Sequence, residues 1–294
     1  MMSTRPALLL EAFTDQPLQG NGAAVVWLEQ PASASWMQRL AGSFKQSETA
    51  FLQREPGGPW RLRWFTPSCE VPLCGHATLA ATLALAHWGC LHPGDTLTLA
   101  SRSGGLQVGL DGQRPGAAHL QLPSAGLEPL PVPRELEALL GLPIERYWGS
   151  SLGYRVALLE AAAPLASLAS PSAQLAGQDR MGLVLMQALD ASGPELMGGR
   201  CDYQLRFFAP GLGIEEDPVT GSAHALVAPW WMEQLQRNQV RGWQASERHG
   251  GMLCEAAGPG WVRLTGSAQL LWDGQINSSG AGCDPDDWRQ AVRL

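Results

Sequence analysis

A stretch of nine residues in the first third of the chain returns, altered, about half a chain later, and this repetition constrains the fold more than any other feature. Glu70-Val71-Pro72-Leu73-Cys74-Gly75-His76-Ala77-Thr78 lies over Glu216-Asp217-Pro218-Val219-Thr220-Gly221-Ser222-Ala223-His224, with Glu, Pro, Gly and Ala in common at an offset of 146. Just upstream, Leu62-Arg63-Trp64-Phe65-Thr66-Pro67 matches Leu205-Arg206-Phe207-Phe208-Ala209-Pro210 at an offset of 143, so a short loop insertion separates the two registers. A period of about half the chain fits one duplicated supersecondary unit; solenoid repeats are far shorter, about 20–50 residues.

In each copy an apolar aromatic segment, Leu62–Phe65 or Leu205–Phe208, reads as a strand closed by the proline that follows. A helix follows each glycine. Ala77–Ala86 is small and apolar on every side, which marks a buried helix, and Gly89 is placed to stop it. Its counterpart, Ala223–Met232, carries Pro229, tolerable only in a first turn or at a kink. Further strands are expected at Ala23–Trp27, Thr96–Leu99, Leu106–Leu110, His119–Leu122, Arg155–Leu159, Leu183–Met186, Val240–Gln244, Met252–Glu255 and Trp261–Leu264. Further helices are expected at Ala34–Gly42 with Ser33 as cap, at Arg134–Leu140 before Gly141, and at Pro285–Leu294 with Asp284 as cap. Strands around one buried helix, twice over, predict an α+β architecture of two similar, pseudo-twofold-related lobes. The lobes are expected at 1–122 and 123–283, with the helix at 284–294 a candidate to return to the first. Their linker is expected at Leu122–Pro133, where four prolines cluster.

The length, 294 residues and 31.5 kDa, agrees with two domains, and 45% hydrophobic against 16% charged residues describes a chain that buries a core. Twenty Lys+Arg against 27 Asp+Glu leave a net charge of −7, so no basic field exists to hold nucleic acid. The only lysine is Lys45, which argues against a pyridoxal-phosphate Schiff base. Six scattered cysteines without a C-x-x-C pair indicate neither a disulfide scaffold nor a structural metal. The apolar run Ala7–Leu10 is too short for a signal-peptide core, and Ala77–Ala86 is too short to span a membrane. A cytoplasmic protein with reduced thiols is expected. No G-x-G-x-x-G stands before a helix, and most of the twelve tryptophans read as core or interface, which points to a homodimer.

The chemistry gathers at the repeat. Two buried helices that begin beside glycine loops each offer free backbone N–H groups and a positive dipole end, suited to a carboxylate or a developing enolate. If the lobes face each other, both ends point into one cleft. Near these loops stand Glu48 in Gln46-Ser47-Glu48-Thr49-Ala50-Phe51, His76, and Asp217. Two carboxylates and an imidazole suffice for proton transfer. Cys74 reads as a small residue beside the site and His224 as a satisfied buried group.

Five linked motifs carry a family resemblance. Glu11-Ala12-Phe13-Thr14-Asp15, Gly20-Asn21-Gly22-Ala23-Ala24-Val25, Ser47-Glu48-Thr49-Ala50-Phe51, Leu73-Cys74-Gly75-His76-Ala77-Thr78 and Asp217-Pro218-Val219-Thr220-Gly221-Ser222-Ala223 resemble, in order, the PhzF-like, phenazine-biosynthesis-type isomerases. The resemblance implies the diaminopimelate-epimerase-like fold, each lobe a strongly curved, mostly antiparallel, barrel-like sheet around its helix. It implies Glu48 as catalytic base, with His76 and Asp217 as companions. It implies substrate binding at Asn21, Cys74, Gly75, Ala77, Gly221 and Ser222. The chain departs from the family at Gly22, where Pro is usual. It also departs from the related two-thiol racemases, whose paired cysteines are replaced here by Cys74 and Thr220. A single thiol disfavours two-cysteine proton transfer and favours a carboxylate-mediated shift. The implied activity is a cofactor-independent isomerisation, without metal, of a small carboxylate-bearing metabolite. The alternatives are a non-catalytic binding or regulatory protein on the same fold, and a racemase or epimerase.

Overall fold

The computed structural model describes residues 4–54, 56–175, 182–277, 288 and 290–292. In chain order its elements begin with β1 (Thr4–Ala12), β2 (Asn21–Leu28), α1 (Ala34–Phe44), β3 (Glu48–Arg54), β4 (Trp60–Phe65), β5 (Glu70–Val71), α2 (Gly75–His87), β6 (Thr96–Ser101), β7 (Gly104–Leu110) and β8 (Ala117–Pro123). There follow β9 (Glu128–Leu130), α3 (Arg134–Leu140), β10 (Ile144–Gly149), β11 (Tyr154–Leu159), α4 (Ser172–Leu175), β12 (Gly182–Ala188), β13 (Glu195–Leu196), β14 (Gly199–Arg200) and β15 (Tyr203–Ala209). The chain ends with β16 (Ile214–Asp217), α5 (Gly221–Leu235), β17 (Gln239–Gln244), β18 (Gly250–Ala256) and β19 (Trp261–Asn277).

These elements form two units, one of residues 1–121 with 265–294 and one of residues 122–264. The sequence reading returned only 284–294 to the first. The difference comes from β19, which runs on to Asn277, well past the expected Leu264, and pairs with β1 from Ala12↔Ala268 to Thr4↔Asn277. Of the expected C-terminal helix, residues 284–287, 289, 293 and 294 lie outside the described residues. Trp288 is fully buried, donates its indole N–H to Ala32 O at 2.8 Å, and accepts from Val292 N–H at 3.1 Å.

In the first unit β1–β2 is antiparallel, β2–β3 parallel, β3–β4 and β4–β5 antiparallel, β4–β6 parallel, and β6–β7 and β7–β8 antiparallel. Bonds from β8 to β19 and from β19 to β1 close this into an eight-stranded barrel. Helix α2 packs against β1, β2, β3 and β7. Nine of its thirteen residues are buried, as expected for a helix without a polar face. Its two threonines bond back to carbonyls four residues earlier, Thr78 to Cys74 O and Thr82 to Thr78 O, so neither hydroxyl of the helix is left unpaired. Gly89, at φ +71°, follows the helix as expected. On the outer face α1, capped by Ser33 accepting from Trp36 N–H, packs Trp36 and Met37 over Phe51 and Phe65.

The second unit repeats the first six of these pairings in order. β10–β11 is antiparallel, β11–β12 parallel, β12–β15 and β15–β16 antiparallel, β15–β17 parallel, and β17–β18 antiparallel. Helix α5 packs on β17 and β18. Pro229 stands in its interior, beyond the first turns, with its ring on the exposed side, and the helix continues to Leu235. The expected linker is not wholly irregular, because β9 forms inside it and pairs with β10. Matched residues of the repeat do matched work. Arg63 holds Glu70 through Nε–Oε1 at 2.7 Å and Nη2–Oε2 at 2.9 Å, and Arg206 holds Glu216 through the same atoms at 2.7 Å each. Each guanidinium also lies over the phenylalanine two residues on, Phe65 at 5.4 Å and Phe208 at 4.9 Å.

Candidate active site

The parallel register of β2 and β3 sets Ala23 opposite Glu48, with α1 as the crossover. It thereby draws the Gly20-Asn21-Gly22 turn against Ser47 and Glu48. Gly20 adopts φ +76°, and a Cβ there would stand 2.5 Å from Ala12 O. At Gly22 the amide tip of Gln46 fills the space a Cβ would take.

His76 enters from the first turn of α2, and its Nε2 lies 3.1 Å from Glu48 Oε2, with the side chains 7% and 13% exposed. Asn21 donates Nδ2–H to His76 Nδ1 at 3.2 Å and accepts the Ser47 hydroxyl on Oδ1 at 2.8 Å. In this arrangement the ring proton sits on Nε2 and faces the carboxylate. Burial opposes a charge on His76, but Cys74 and Glu48 favour it and lift the imidazole pKa well above its usual value. An imidazolium would turn the Asn21 amide over so that Oδ1 accepts from Nδ1–H. The Ser47 hydroxyl, both donor and acceptor, can follow that turn. Cys74 Sγ stands 3.5 Å from Nδ1 and 3.9 Å from Nε2. Burial, reinforced by the charge of Glu48, pushes its thiol up to about 11, so it stays protonated at neutral pH.

In the second unit the Asp217–Thr220 turn is clamped from β17. Thr220 N–H donates to Gln244 Oε1 at 2.7 Å, and Gln244 Nε2 donates to Asp217 O at 2.6 Å. The Thr220 hydroxyl donates to the Asp217 carboxylate at 2.5 Å. Ser222, in the first turn of α5, shares a hydrogen bond with the Tyr154 hydroxyl at 3.0 Å. His224 is buried, with Nδ1 2.9 Å from the Tyr203 hydroxyl, and burial lowers its pKa to about 3. It is only half satisfied, since Nε2 has no hydrogen-bond partner.

Of the residues expected at a site, Asn21, Glu48, Cys74 and His76 are brought together in the first unit, beside Gly75 and Ala77 at the start of α2. Asp217, Gly221 and Ser222 are neighbours in the second. The sequence reading missed Ser47, Tyr154 and Gln244. Ser47 adjoins Glu48 in the motif, but nothing local tells that its hydroxyl holds Asn21. Among the described residues no helix is long and apolar enough to cross a membrane, and the described cysteines are free thiols.

The duplicated α+β unit, with strands around a buried helix, is a fold that other solved proteins share. A hydroxyproline epimerase from Agrobacterium vitis shares the fold at a TM-score of 0.59, with 11% identity over 99% of each chain. The sequence profile of the phenazine biosynthesis-like protein family (PhzC-PhzF) matches residues 10–274, and the chain belongs to that family. It is 37% identical to an uncharacterized isomerase of Pseudomonas aeruginosa, over 92% of this chain and 97% of that one. It is 32% identical to the bovine phenazine biosynthesis-like domain-containing protein, over 93% and 99%. A PhzF-family crystal structure from Enterococcus faecalis superposes with a TM-score of 0.83 at 32% identity, covering 93% of this chain and 99% of that one.

Proposed function

We propose that this protein is a cytoplasmic, cofactor-independent isomerase that moves a proton between positions of a small carboxylate-bearing metabolite, with Glu48 as general acid/base. The 3.1 Å contact between His76 Nε2 and Glu48 Oε2, with the imidazole braced by Asn21 and Ser47, carries the reading. Glu48 takes a proton from a carbon acidified by a neighbouring carboxylate or π-system. The same carboxyl group returns it elsewhere, and His76 orients the carboxylate between the two events. Backbone N–H groups at Gly75 and Ala77 hold developing negative charge, as helix starts do. Asp217, Gly221 and Ser222 are assigned to the same substrate, and the working form is taken to be a homodimer.

The thiol distinguishes this reading from a racemase. Cys74 stays protonated at neutral pH, and the matching position of the second copy is Thr220, so a pair of thiol bases is lacking. A panel of small cyclic and amino-acid-derived carboxylates, incubated with the protein in heavy water, should identify a substrate by deuterium at carbon. Glu48→Gln should cut that exchange by about 10²–10⁴-fold while binding persists. Asp217→Asn should lower kcat, and Ser222→Ala should mainly raise KM. Wild-type exchange by Glu48→Gln would sink the assignment, and binding without any exchange would make the protein a binder. Product stereochemistry separates a positional shift from epimerisation, and sedimentation measures the dimer.

A further inference from the structure

We infer that Glu48, Cys74 and His76 form a site for a thiophilic divalent cation, zinc above all, whose binding blocks the proton-transfer machinery. Their ligand atoms lie within 4.8 Å of one another. His76 Nε2 lies 3.1 Å from Glu48 Oε2, and Cys74 Sγ lies beside the same ring, 3.5 Å from Nδ1 and 3.9 Å from Nε2. Tetrahedral zinc, with bonds of about 2.0–2.3 Å to nitrogen, oxygen and sulfur, sets its ligands roughly 3.4–3.6 Å apart. The three ligand atoms, all within 4.8 Å of one another, are therefore wider apart than in a coordinated arrangement, and rotation of the Cys74 and His76 side chains must carry the sulfur from beside Nδ1 round to the Nε2 side. The three donors come from the start of β3, the residue before α2 and the first turn of α2, so the barrel holds them whether or not a metal is present.

The donor set selects the metal. A thiolate and an imidazole favour zinc over magnesium or calcium, which take oxygen ligands. Three protein ligands leave a fourth position for water. The surroundings suit the bound state as well. A metal on Nε2 requires a proton on Nδ1, which the Asn21 amide would accept after turning over with Ser47, the outer-shell arrangement that metal-bound histidines use. Binding exchanges the Cys74 S–H and His76 Nε2–H bonds for bonds to the metal; the imidazolium keeps its Nδ1 proton, so the thiol and the ring each release one proton to solvent.

The metal site stands on geometry alone, whereas its inhibitory effect rests on the proposed role of Glu48. Chelator-treated, reduced protein is titrated with Zn²⁺ against a chromophoric chelator, and with Co²⁺ while its absorption is recorded. One equivalent should bind, and Co²⁺ should show a sulfur-to-metal charge-transfer band. Cys74→Ala should lose that band and weaken Zn²⁺ binding by at least about tenfold, as should His76→Gln. Cys69→Ser, an exposed thiol elsewhere, should change nothing. Thermal unfolding establishes that each variant is folded. No stoichiometric binding by the wild type, or wild-type affinity in folded Cys74→Ala, would overturn the site. Zn²⁺ should also stop deuterium exchange, reversibly on chelation. Stoichiometric, Cys74-dependent binding that left exchange intact would uphold the metal site and overturn Glu48 as the base.

Discussion

At Gly20 the backbone is left-handed, and the Ala12 carbonyl occupies the place where a side chain would begin. The obstacle is main chain and cannot swing aside. Gly20→Ala is expected to cost about 1–3 kcal/mol and to disturb Asn21 next to it, read as a lower denaturation midpoint together with slower exchange. His224 makes a second residue-scale prediction. Its folded pKa of about 3 lies below the usual 6.5, so from pH 6.5 downward the unfolded chain binds a proton that the native chain refuses. This group therefore adds no penalty above pH 6.5, and stability falls as pH drops toward 3, by about 2 kcal/mol at pH 5. Denaturant titrations at pH 7 and pH 5 should show that loss in the wild type and not in His224→Gln. Equal losses would refute it.

Between elements, the two Arg–Glu pairs each tie a long strand to the short strand that leads into a glycine loop. Arg63 joins β4 to β5 ahead of Gly75, and Arg206 joins β15 to β16 ahead of Gly221. The arginine side chains are only 6% and 7% exposed, so removing one partner strands a charge in a poorly solvated place. Arg206→Met alone should cost about 3–5 kcal/mol in equilibrium unfolding, and Arg206→Met with Glu216→Leu substantially less. Similar losses for the single and double variants would show that the pairing is not what matters. These arginines, glutamates and phenylalanines were visible in the sequence as matched letters of a repeat. That they meet was not, because the sequence carries no record of which strand turns back on which.

For the whole molecule, the first unit is assembled from both ends of the chain. Residues 268–277 complete its barrel against β1, so a chain ending at Leu264 leaves β1 with an open edge. Limited proteolysis of that truncation should find residues 4–121 cut far faster than in the full-length protein. Equal resistance would mean that the barrel closes without β19. The expected boundary at residue 283 missed this because an unbroken strand of seventeen residues shows no change of composition where it passes from one unit to the other.

The duplication, the two buried helices and the chemical types at the site follow from the sequence, since periodicity, small apolar runs and repeated letters are local properties. Glu48 and His76 were found as motif residues. Their 3.1 Å contact, the Asn21–Ser47 brace and the thiol beside the same ring were decided by tertiary structure alone. The parallel pairing of β2 and β3 through a helical crossover brings Asn21 to Ser47, 26 positions on, and the packing of α2 on β2 brings it to His76, 55 positions on; no local preference encodes either contact.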